Sequence, residues 1–500
     1  MMKIYLCIWG KIWIFYEFNF IEVLSEKLAA CVIIRGRFIV QNAILLDFGS
    51  THTKVVVVSL KQEKILHTNC FASTVKTDAR VGLQQCLDSA RTVLSQDEFE
   101  EAIKLSSSSA AGGLRMAVIG LSQSLSITAG RNTAFGAGGK ILVTLSGRIT
   151  PEKIQEFIEA KVEIVLFCGG YENGNETTLL HNAKLLSESN LAIPIIYAGN
   201  SAIVSEVRGL MKMGRKECFI ANNLMPDVGE LDTAMAEDIV REVFLQRIVN
   251  MKGLGKIKKT LDGILMPTPS AVLSAGELLA GGTKNESGIG ELMIIDIGGA
   301  TTDVHSFAQQ TSCKGAKLSG AKEAYVKRTV ESDLGVRESS ELMLDEIGSG
   351  VLTDICGKDS KWVEDAIEHR SVVNDYIPDN EEEKRLDEVL AGLAARISTR
   401  RHAGRLEHIT SANCKLLQVG KNVTSVKNII GTGGPIIYSS DPKGVLSSVL
   451  KTGKDEEDCL LPEESKLYLD EQYILFSMGL LREVAPDIAL RIMKKSLKKL

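Results

Sequence analysis

No Gly-x-x-x-x-Gly-Lys-[Ser/Thr] run occurs in the 500 residues: Gly139-Lys140 is followed by Ile141 and Gly453-Lys454 by Asp455, which leaves a P-loop without support. No Gly-x-Gly-x-x-Gly fingerprint follows a strand-like segment either, so dinucleotide binding of that type is not indicated. The ten cysteines are scattered from Cys7 to Cys459 with no Cys-x-x-Cys pair. That scatter argues against zinc and disulfide frameworks and fits reduced thiols in the cytoplasm. Positive charge is not in excess: 58 Lys and Arg stand against 63 Asp and Glu, net −5, and nucleic acid is not an expected partner. Aromatic residues make up only 5%, yet Met1 to Phe20 holds seven of them, with Trp9 and Trp13 two of the three tryptophans. Lys11 and Glu17 interrupt that stretch, so a membrane segment is not expected. Residues 1–41 are set apart as an N-terminal extension outside the core.

What the chain does hold is two similar glycine-rich segments. Asp47-Phe48-Gly49-Ser50-Thr51-His52-Thr53-Lys54 follows the apolar run Ala43 to Leu46, and Asp296-Ile297-Gly298-Gly299-Ala300-Thr301-Thr302-Asp303 follows Leu292 to Ile295. Each reads as a β-hairpin: an apolar strand, a tight turn on Gly, and a second β-prone run. Such a turn can hold a phosphate. Its glycines let the backbone come close, its N–H groups and hydroxyls donate, and the strand-end Asp can hold Mg²⁺ through water. A third element, Gly431-Thr432-Gly433-Gly434-Pro435, reads as a strand, a glycine turn and a helix start with Pro in its first turn. Asp303-Val304-His305-Ser306-Phe307-Ala308 approaches the Asp-x-His-x-x-Gly run of cobalamin-binding domains, but Ala308 replaces the glycine and His305 falls inside a strand.

Between these motifs the pattern expects a third strand at Lys64 to Ala72, a helix from Ala79 to Leu94, a small-residue loop from Ser106 to Gly113 and a fourth strand from Arg115 to Leu121. From about 125 to 255 strands at 141–145, 162–167, 194–198 and 217–220 alternate with helical segments, the signature of a parallel sheet. The expected division is therefore 42–124 for a first half, 125–255 for an inserted α/β domain, and 256–500 for a linker helix and second half. That linker helix spans Ala271 to Ala280, with Ser270 as its cap. The charge run Asp379 to Glu388 suits a solvated helix start, whereas the arginines between Arg396 and Arg405 suit either a phosphate contact or an exposed helix.

Two phosphate-clamping hairpins followed by a nucleoside-binding glycine turn resemble the actin, Hsp70 and sugar-kinase ATPase superfamily. The implied fold is α/β, with two ribonuclease-H-like halves and an insertion. Several further runs resemble one family, the MutL-type accessory proteins of glutamate mutase and related adenosylcobalamin-dependent aminomutases, which are distinct from the DNA mismatch-repair proteins of the same name. These runs are Ser108 to Leu114, Leu179 to Leu186, Met266 to Pro269, Asp296 to His305, Arg328 to Glu331 with Asp333 to Gly335, Arg401 to Gly404, Gly431 to Pro435 and Lys466 to Asp470. One loop departs from the family pattern: Gly169-Gly170 continues as Tyr171-Glu172-Asn173 where a Gly-Gly-Thr-Asp-Gly-Gly loop is usual.

The resemblance implies an ATP-driven chaperone that exchanges damaged for intact adenosylcobalamin on a mutase partner, with ATP and Mg²⁺ as ligands. A homodimer is left open. Asp47 and Asp296 are expected to face Mg²⁺. Gly49, Ser50, Thr51 and Thr53 are expected to hold one side of the phosphates, and Gly298, Gly299, Thr301 and Thr302 the other. Lys54 is expected to neutralise charge at the γ-phosphate, and Gly431, Gly433 and Gly434 to lie under adenosine. A small-molecule kinase and a nucleotide-controlled assembly protein are the alternatives.

Overall fold

The computed structural model describes residues 7–8, 11–12, 40–49, 52–75, 77–109, 114–249, 261–262, 265–320, 323–409, 416–453 and 457–500. Most of the N-terminal extension, Ser50, Thr51 and residues 110–113 lie outside the described residues.

Two mixed sheets share one topology. In the first, β1 (Asn42–Phe48), β2 (His52–Ser59) and β3 (Lys64–Ala72) form an antiparallel meander, and β4 (Ile103–Ser108) lies parallel to β1 on its other side. Three further sheets follow in the chain. The second is all parallel: β5 (Leu114–Gly120), β6 (Gly139–Ser146), β7 (Ile164–Gly169), β8 (Ile195–Gly199) and β9 (Cys218–Ile220) in the order β6-β5-β7-β8-β9. After it, β10 (Leu265–Pro267) returns to pair with β4 and completes the first sheet. The next sheet repeats the first. Here β11 (Leu292–Ile297), β12 (Thr302–Phe307) and β13 (Val326–Glu331) meander, β14 (Asn428–Thr432) runs parallel to β11, and β15 (Lys466–Leu469) runs parallel to β14. Counted from the first strand, both sheets read 3-2-1-4-5 with the same senses, and the second adds a short antiparallel sixth strand, Lys498–Lys499, beside β15. This duplication is the two-halved actin-like ATPase architecture. A small three-stranded sheet and a two-residue antiparallel pair, Cys7–Ile8 with Lys11–Ile12, complete the set among the described residues.

Period-two alternation decides what each strand face meets. Ile44, Leu46 and Phe48 of β1 pack in the cluster that includes Leu83 and Leu87 of helix α1 (Ala79–Arg91), whereas Ala43 and Leu45 enter a core shared by both repeated sheets. In β11, Met293, Ile295 and Ile297 face outward and Leu292 and Ile294 enter that same shared core. Asp47 and Asp296 continue the inward stripes by one step, so the alternation that buries the apolar residues also aims both carboxylates at the junction of the halves.

Two helices fill that junction: α2 (Thr268–Gly281) and α3 (Leu475–Arg482). They cross at a small residue, since a Cβ on Gly479 would lie 1.8 Å from the Ala271 carbonyl oxygen, and Gly276 lets α2 approach the sheet, where its Cβ would lie 2.4 Å from the Phe307 ring of β12. Ser270 is not the cap of α2. The helix begins at Thr268, with Pro267 at the N-cap position and Pro269 in the first turn, where a proline's missing N–H is not needed, and Ser270 is buried inside.

The fourth strand of the first half is β4, not the Arg115–Leu121 strand expected there; β5 (Leu114–Gly120) instead belongs to the parallel sheet. Ser106, Ser107 and Ser108 read as a loop from composition, yet they are fully buried strand residues. Their hydroxyls are usable in a strand because two of them bond inward: Ser107 Oγ donates to Asp47 Oδ1 (3.0 Å) and Ser108 Oγ to the Phe48 carbonyl (3.1 Å). A long helix, α4 (Glu381–His402), begins where the charge run was expected, capped by Asn380, with three glutamates in its first turn and Arg400, Arg401 and His402 in its last. That arrangement complements the helix dipole. Arg401 pairs with Glu331, Asp333 and Glu346, and Arg396 donates to the carbonyls of Ser448 and Leu450, so these two are held by protein groups.

Candidate functional site

The hairpin turns are closed alike. Gly49 N–H donates to the His52 carbonyl and Gly298 N–H to the Thr301 carbonyl, both at 2.9 Å. Across each ladder the strand-end Asp meets an ionisable residue: Asp47 faces Lys54 and Asp296 faces Asp303. Facing residues in an antiparallel pair share a face, so all four point to the junction.

Asp47 is 1% exposed and fully engaged: it accepts from Ser107 (3.0 Å), from Lys54 Nζ (3.2 Å) and from the Thr268 hydroxyl that opens α2. Lys54 Nζ lies 4.0 Å from the centroid of the Tyr473 ring. Burial alone would lower its pKa, but the phenol of Tyr473 and the carboxylates Asp47 and Asp296 outweigh burial and hold the ammonium above its ordinary value. Burial pushes the Tyr473 phenol up to about 12 against the pull of Lys54. Tyr473 also takes φ +54°, a left-handed conformation that a bulky residue adopts only under constraint.

Asp296 is half-buried and accepts no hydrogen bond from the protein among the described residues. Burial, then the charge of Asp303, pushes its carboxyl up to about 7, with Asp470 adding to the effect and Lys54 opposing it. Asp303 is tied to Arg328 (2.6 Å) and accepts from Thr301 Oγ1 (3.2 Å). Asp470 follows β15 as the other aspartates follow their strands. It receives the N–H groups of Ile474 and Leu475 (2.9 and 3.1 Å) and the Thr432 hydroxyl (2.9 Å), which fixes the entry to α3.

The glycine turn reaches the same place. Gly433 has φ +92°, and a Cβ there would stand 2.1 Å from the Ile297 carbonyl oxygen and 2.9 Å from Asp296 Oδ1. Gly434 starts helix α5 (Gly434–Ile437), with open space around it; its nearest neighbour would be the Tyr438 ring at 3.8 Å. Gly431, by contrast, lies on the outer face: its missing side chain makes room for Leu446 and Ile436. It therefore serves helix packing and does not lie under a nucleoside.

Two hydroxyls also fall on the wrong face for phosphate. Thr53 is buried against Gly82 of α1, and Thr302 donates to the Leu334 carbonyl (2.6 Å). At the turn that carries Gly298, Gly299 and Thr301, the segment after β13 braces the backbone through Val336 N–H to Gly298 O and Arg337 N–H to Gly299 O. No hydrogen bond among the described residues engages the N–H of Gly299 or Ala300, so both remain as donors. Ser50 and Thr51 lie outside the described residues. His305 is fully buried behind Asp303, with burial and Arg328 holding its pKa well below the ordinary value, so it presents no ligand to a cofactor.

Among known proteins, a family model described as "MutL protein" matches residues 43–497. The chain belongs to the MutL protein family. A curated relative, Protein MutL of Clostridium tetanomorphum, is 38% identical over 461 residues, covering 91% of this chain and 99% of its own. Solved structures similar to the chain include the ethanolamine utilization protein EutJ of Carboxydothermus hydrogenoformans, at 12% identity over 94% of this chain and 99% of that one, with a TM-score of 0.23. Xylulose kinase of Bifidobacterium adolescentis aligns at 10% identity over 92% and 95%, with a TM-score of 0.30. These low scores add nothing to the fold, which rests on the repeated strand order.

Several residues of the MutL family runs gain a place that local sequence did not indicate. Thr268 binds Asp47, Arg328 binds Asp303, and Asp470 caps α3 beside the cluster. Asp470 carries a readable signal, since it ends an apolar strand just as Asp47 and Asp296 do. Tyr473 carries none. Among the described residues no group of three or more His, Cys, Asp or Glu side chains is arranged to hold a metal ion, and no helix is long and apolar enough to cross a membrane.

Proposed function

We propose that this MutL-family protein is an ATPase whose nucleotide cycle drives exchange of damaged for intact cobalamin on an adenosylcobalamin-dependent mutase. The observation that carries the ATPase reading is the convergence of two Gly turns closed by the same hydrogen bond, the Gly433 turn and the carboxylates Asp47 and Asp296 at one inter-sheet junction. Family membership carries the choice of partner.

The residues fit a Mg²⁺ that arrives with the nucleotide. Burial and then the neighbouring charge of Asp303 favour the protonated form of Asp296, a penalty on the carboxylate that a cation would relieve, and a Mg²⁺ bound by one or two carboxylates keeps its remaining positions for water and phosphate oxygens. The bound cation would draw charge from the phosphates. The N–H groups of Gly299 and Ala300 would donate to one side of them, and Lys54, already charged and anchored, would offset charge on the transferred group. Asp47 and Thr268 hold Lys54 and the start of α2 in fixed relation, so phosphate contacts on both sheets bear directly on the crossing of α2 and α3. Opening and closing about that crossing supplies two states with different affinity for a partner, as a switch requires.

We place the working division of the chain at the sheet changes: a first half formed by β1 to β4 and β10, an insertion beginning at Leu114, and a second half beginning at α2. The test of the function is purified protein assayed for Mg²⁺-dependent ATP hydrolysis, alone and with candidate glutamate and ornithine mutases. Stimulation by one of them is the expected result, and transfer of phosphate to a small polyol or carboxylate would favour a kinase.

A further inference from the structure

Arg328 is 4% exposed and its guanidinium is shared between two parts of the fold. On one side Nε and Nη2 reach Asp303 Oδ1 at 2.8 and 2.6 Å; on the other, Nη1 donates to the Phe135 carbonyl at 2.8 Å. Phe135 lies in the last turn of the helix Thr128–Gly136, which belongs to the inserted parallel sheet and has no basic residue of its own in that turn. The C-terminal carbonyls of a helix carry partial negative charge. Here the second half of the ATPase core supplies the cation that compensates them. A further tie runs beside it: Asn132 Nδ2 donates to Glu323 Oε2 (3.2 Å), and Glu323 pairs with Lys327 (2.8 Å), the neighbour of Arg328 on β13.

The far end of this helix meets the functional edge of the inserted sheet. A π-helical turn, Gln123–Ile127, precedes it, and Ser126 Oγ accepts the N–H groups of Leu121 (2.7 Å) and Ser122 (3.0 Å) at the end of β5. The Ser126 carbonyl accepts from Cys168 of β7 (3.3 Å). The order β6-β5-β7-β8-β9 is the doubly wound 2-1-3-4-5 order, in which ligand crevices form between the first and third strands at their carboxyl ends. That is where Ser126 sits, beside the loop Gly169 to Asn175 that departs from the family pattern. Within this loop Gly169 and Gly170 take φ +121° and +75°, and Glu172 binds Ser201 and Asn223 to join the loops after β7, β8 and β9. From residue 123 to 136 the helical segment spans roughly 20 Å. It is a stiff rod with Arg328 of β13, the strand beside the second hairpin, at one end and the switch-point loops at the other.

We propose that Arg328 is a two-ended strut through which the nucleotide state of the ATPase core sets the docking of the inserted sheet and the conformation of its loops at 121–126 and 169–175. The proposal rests on the nucleotide reading above. Polyphosphate arriving between the hairpins competes for the guanidinium with a neutral carbonyl, and an anion wins that competition, so the tie to Phe135 loosens and the rod shifts. Lysine at this position retains a positive charge for Asp303 but cannot serve both partners with a planar fork.

Hydrogen exchange of the full-length protein tests this, with and without Mg²⁺ and a non-hydrolysable ATP analogue, at analogue concentrations shown by titration to saturate each protein. In the wild type, exchange of amides 131–138 is expected to speed up about threefold or more on nucleotide binding, because local opening in the last turn becomes easier. In Arg328→Lys the response to nucleotide should vanish, whatever the basal rate; a merely structural role for Arg328 would alter basal exchange equally with and without nucleotide. The wild-type comparison stands even if the variant folds poorly. Nucleotide binding without any change at 131–138, or an undiminished response in Arg328→Lys, overturns the strut. Failure of the wild type to bind nucleotide overturns the ATPase reading and the strut with it.

Discussion

Replacing Asp296 by Asn is expected to stabilise the empty protein at pH 8 while stopping its chemistry. Burial and the charge of Asp303 hold the Asp296 carboxyl at about 7, against an ordinary value of 3.8. At about 1.4 kcal/mol per unit, that difference corresponds to a ceiling of about 4 kcal/mol in favour of the neutral form. Below about pH 4 the folded and unfolded chains both carry the proton and no penalty arises. Between about 4 and 7 the unfolded chain releases its proton first, so stability falls as pH rises; above 7 both are ionised and the full penalty remains. Asparagine escapes it at every pH. Urea midpoints of wild type and Asp296→Asn, measured without Mg²⁺ or nucleotide from pH 5 to 8, should therefore separate progressively, with the variant ahead by about 1–4 kcal/mol at pH 8. Mg²⁺ with a non-hydrolysable ATP analogue should favour the wild type in return, because a bound cation stabilises the carboxylate and not the amide. Turnover of the variant should drop about tenfold or more. A gap independent of pH, or a variant less stable than wild type at pH 8, would refute the reasoning about a strained, cation-seeking carboxylate.

Lys54→Met removes the larger of the two cationic influences, Lys54 and Arg328, that oppose the raised pKa of Asp296, so the acidic limb of the ATPase pH profile should move to higher pH and turnover should fall about tenfold or more. Gly433→Val should abolish nucleotide binding measured by calorimetry, because its Cβ would stand 2.1 Å from the Ile297 carbonyl at φ +92°, whereas Gly434→Ala, whose nearest contact would be 3.8 Å, should bind within a few-fold of wild type. Removal of residues 1–39, which precede the family match at 43–497, should leave nucleotide affinity and the thermal midpoint unchanged. A large drop in the midpoint would mean that the aromatic segment packs on the body.

The hairpins were legible because each carries its own punctuation: an apolar alternation, an Asp that breaks it on the inward face, and a Gly turn. The ladder registers then set Lys54 and Asp303 opposite those aspartates. Thr53 and Thr302, expected to hold phosphate, are out of phase with Lys54 and Asp303 and fall on the outer faces, a consequence of strand alternation that the hydroxyl-rich composition of the turns obscured. Gly431 fails for the same reason, one step out of phase with Thr432. The boundary between the first half and the inserted sheet was misread because Ser106 to Ser108 lack apolar character, and bonds to Asp47 and Phe48 settle two of the three hydroxyls in a buried strand. Tyr473 and Arg328 were not legible from any local pattern. Their roles depend on contacts with Lys54 and Phe135, far away in sequence, and local periodicity says nothing about which distant strand or helix will arrive.

The claim that nucleotide turnover serves a cobalamin enzyme is tested most directly by recovery of activity. An inactivated glutamate or ornithine mutase is mixed with this protein, Mg²⁺ and fresh adenosylcobalamin, with ATP in one arm and none in the other, and mutase turnover is followed. Recovery that requires ATP, and that Asp296→Asn fails to support, is the expected result. Equal recovery with and without ATP across the candidate mutases would contradict the account.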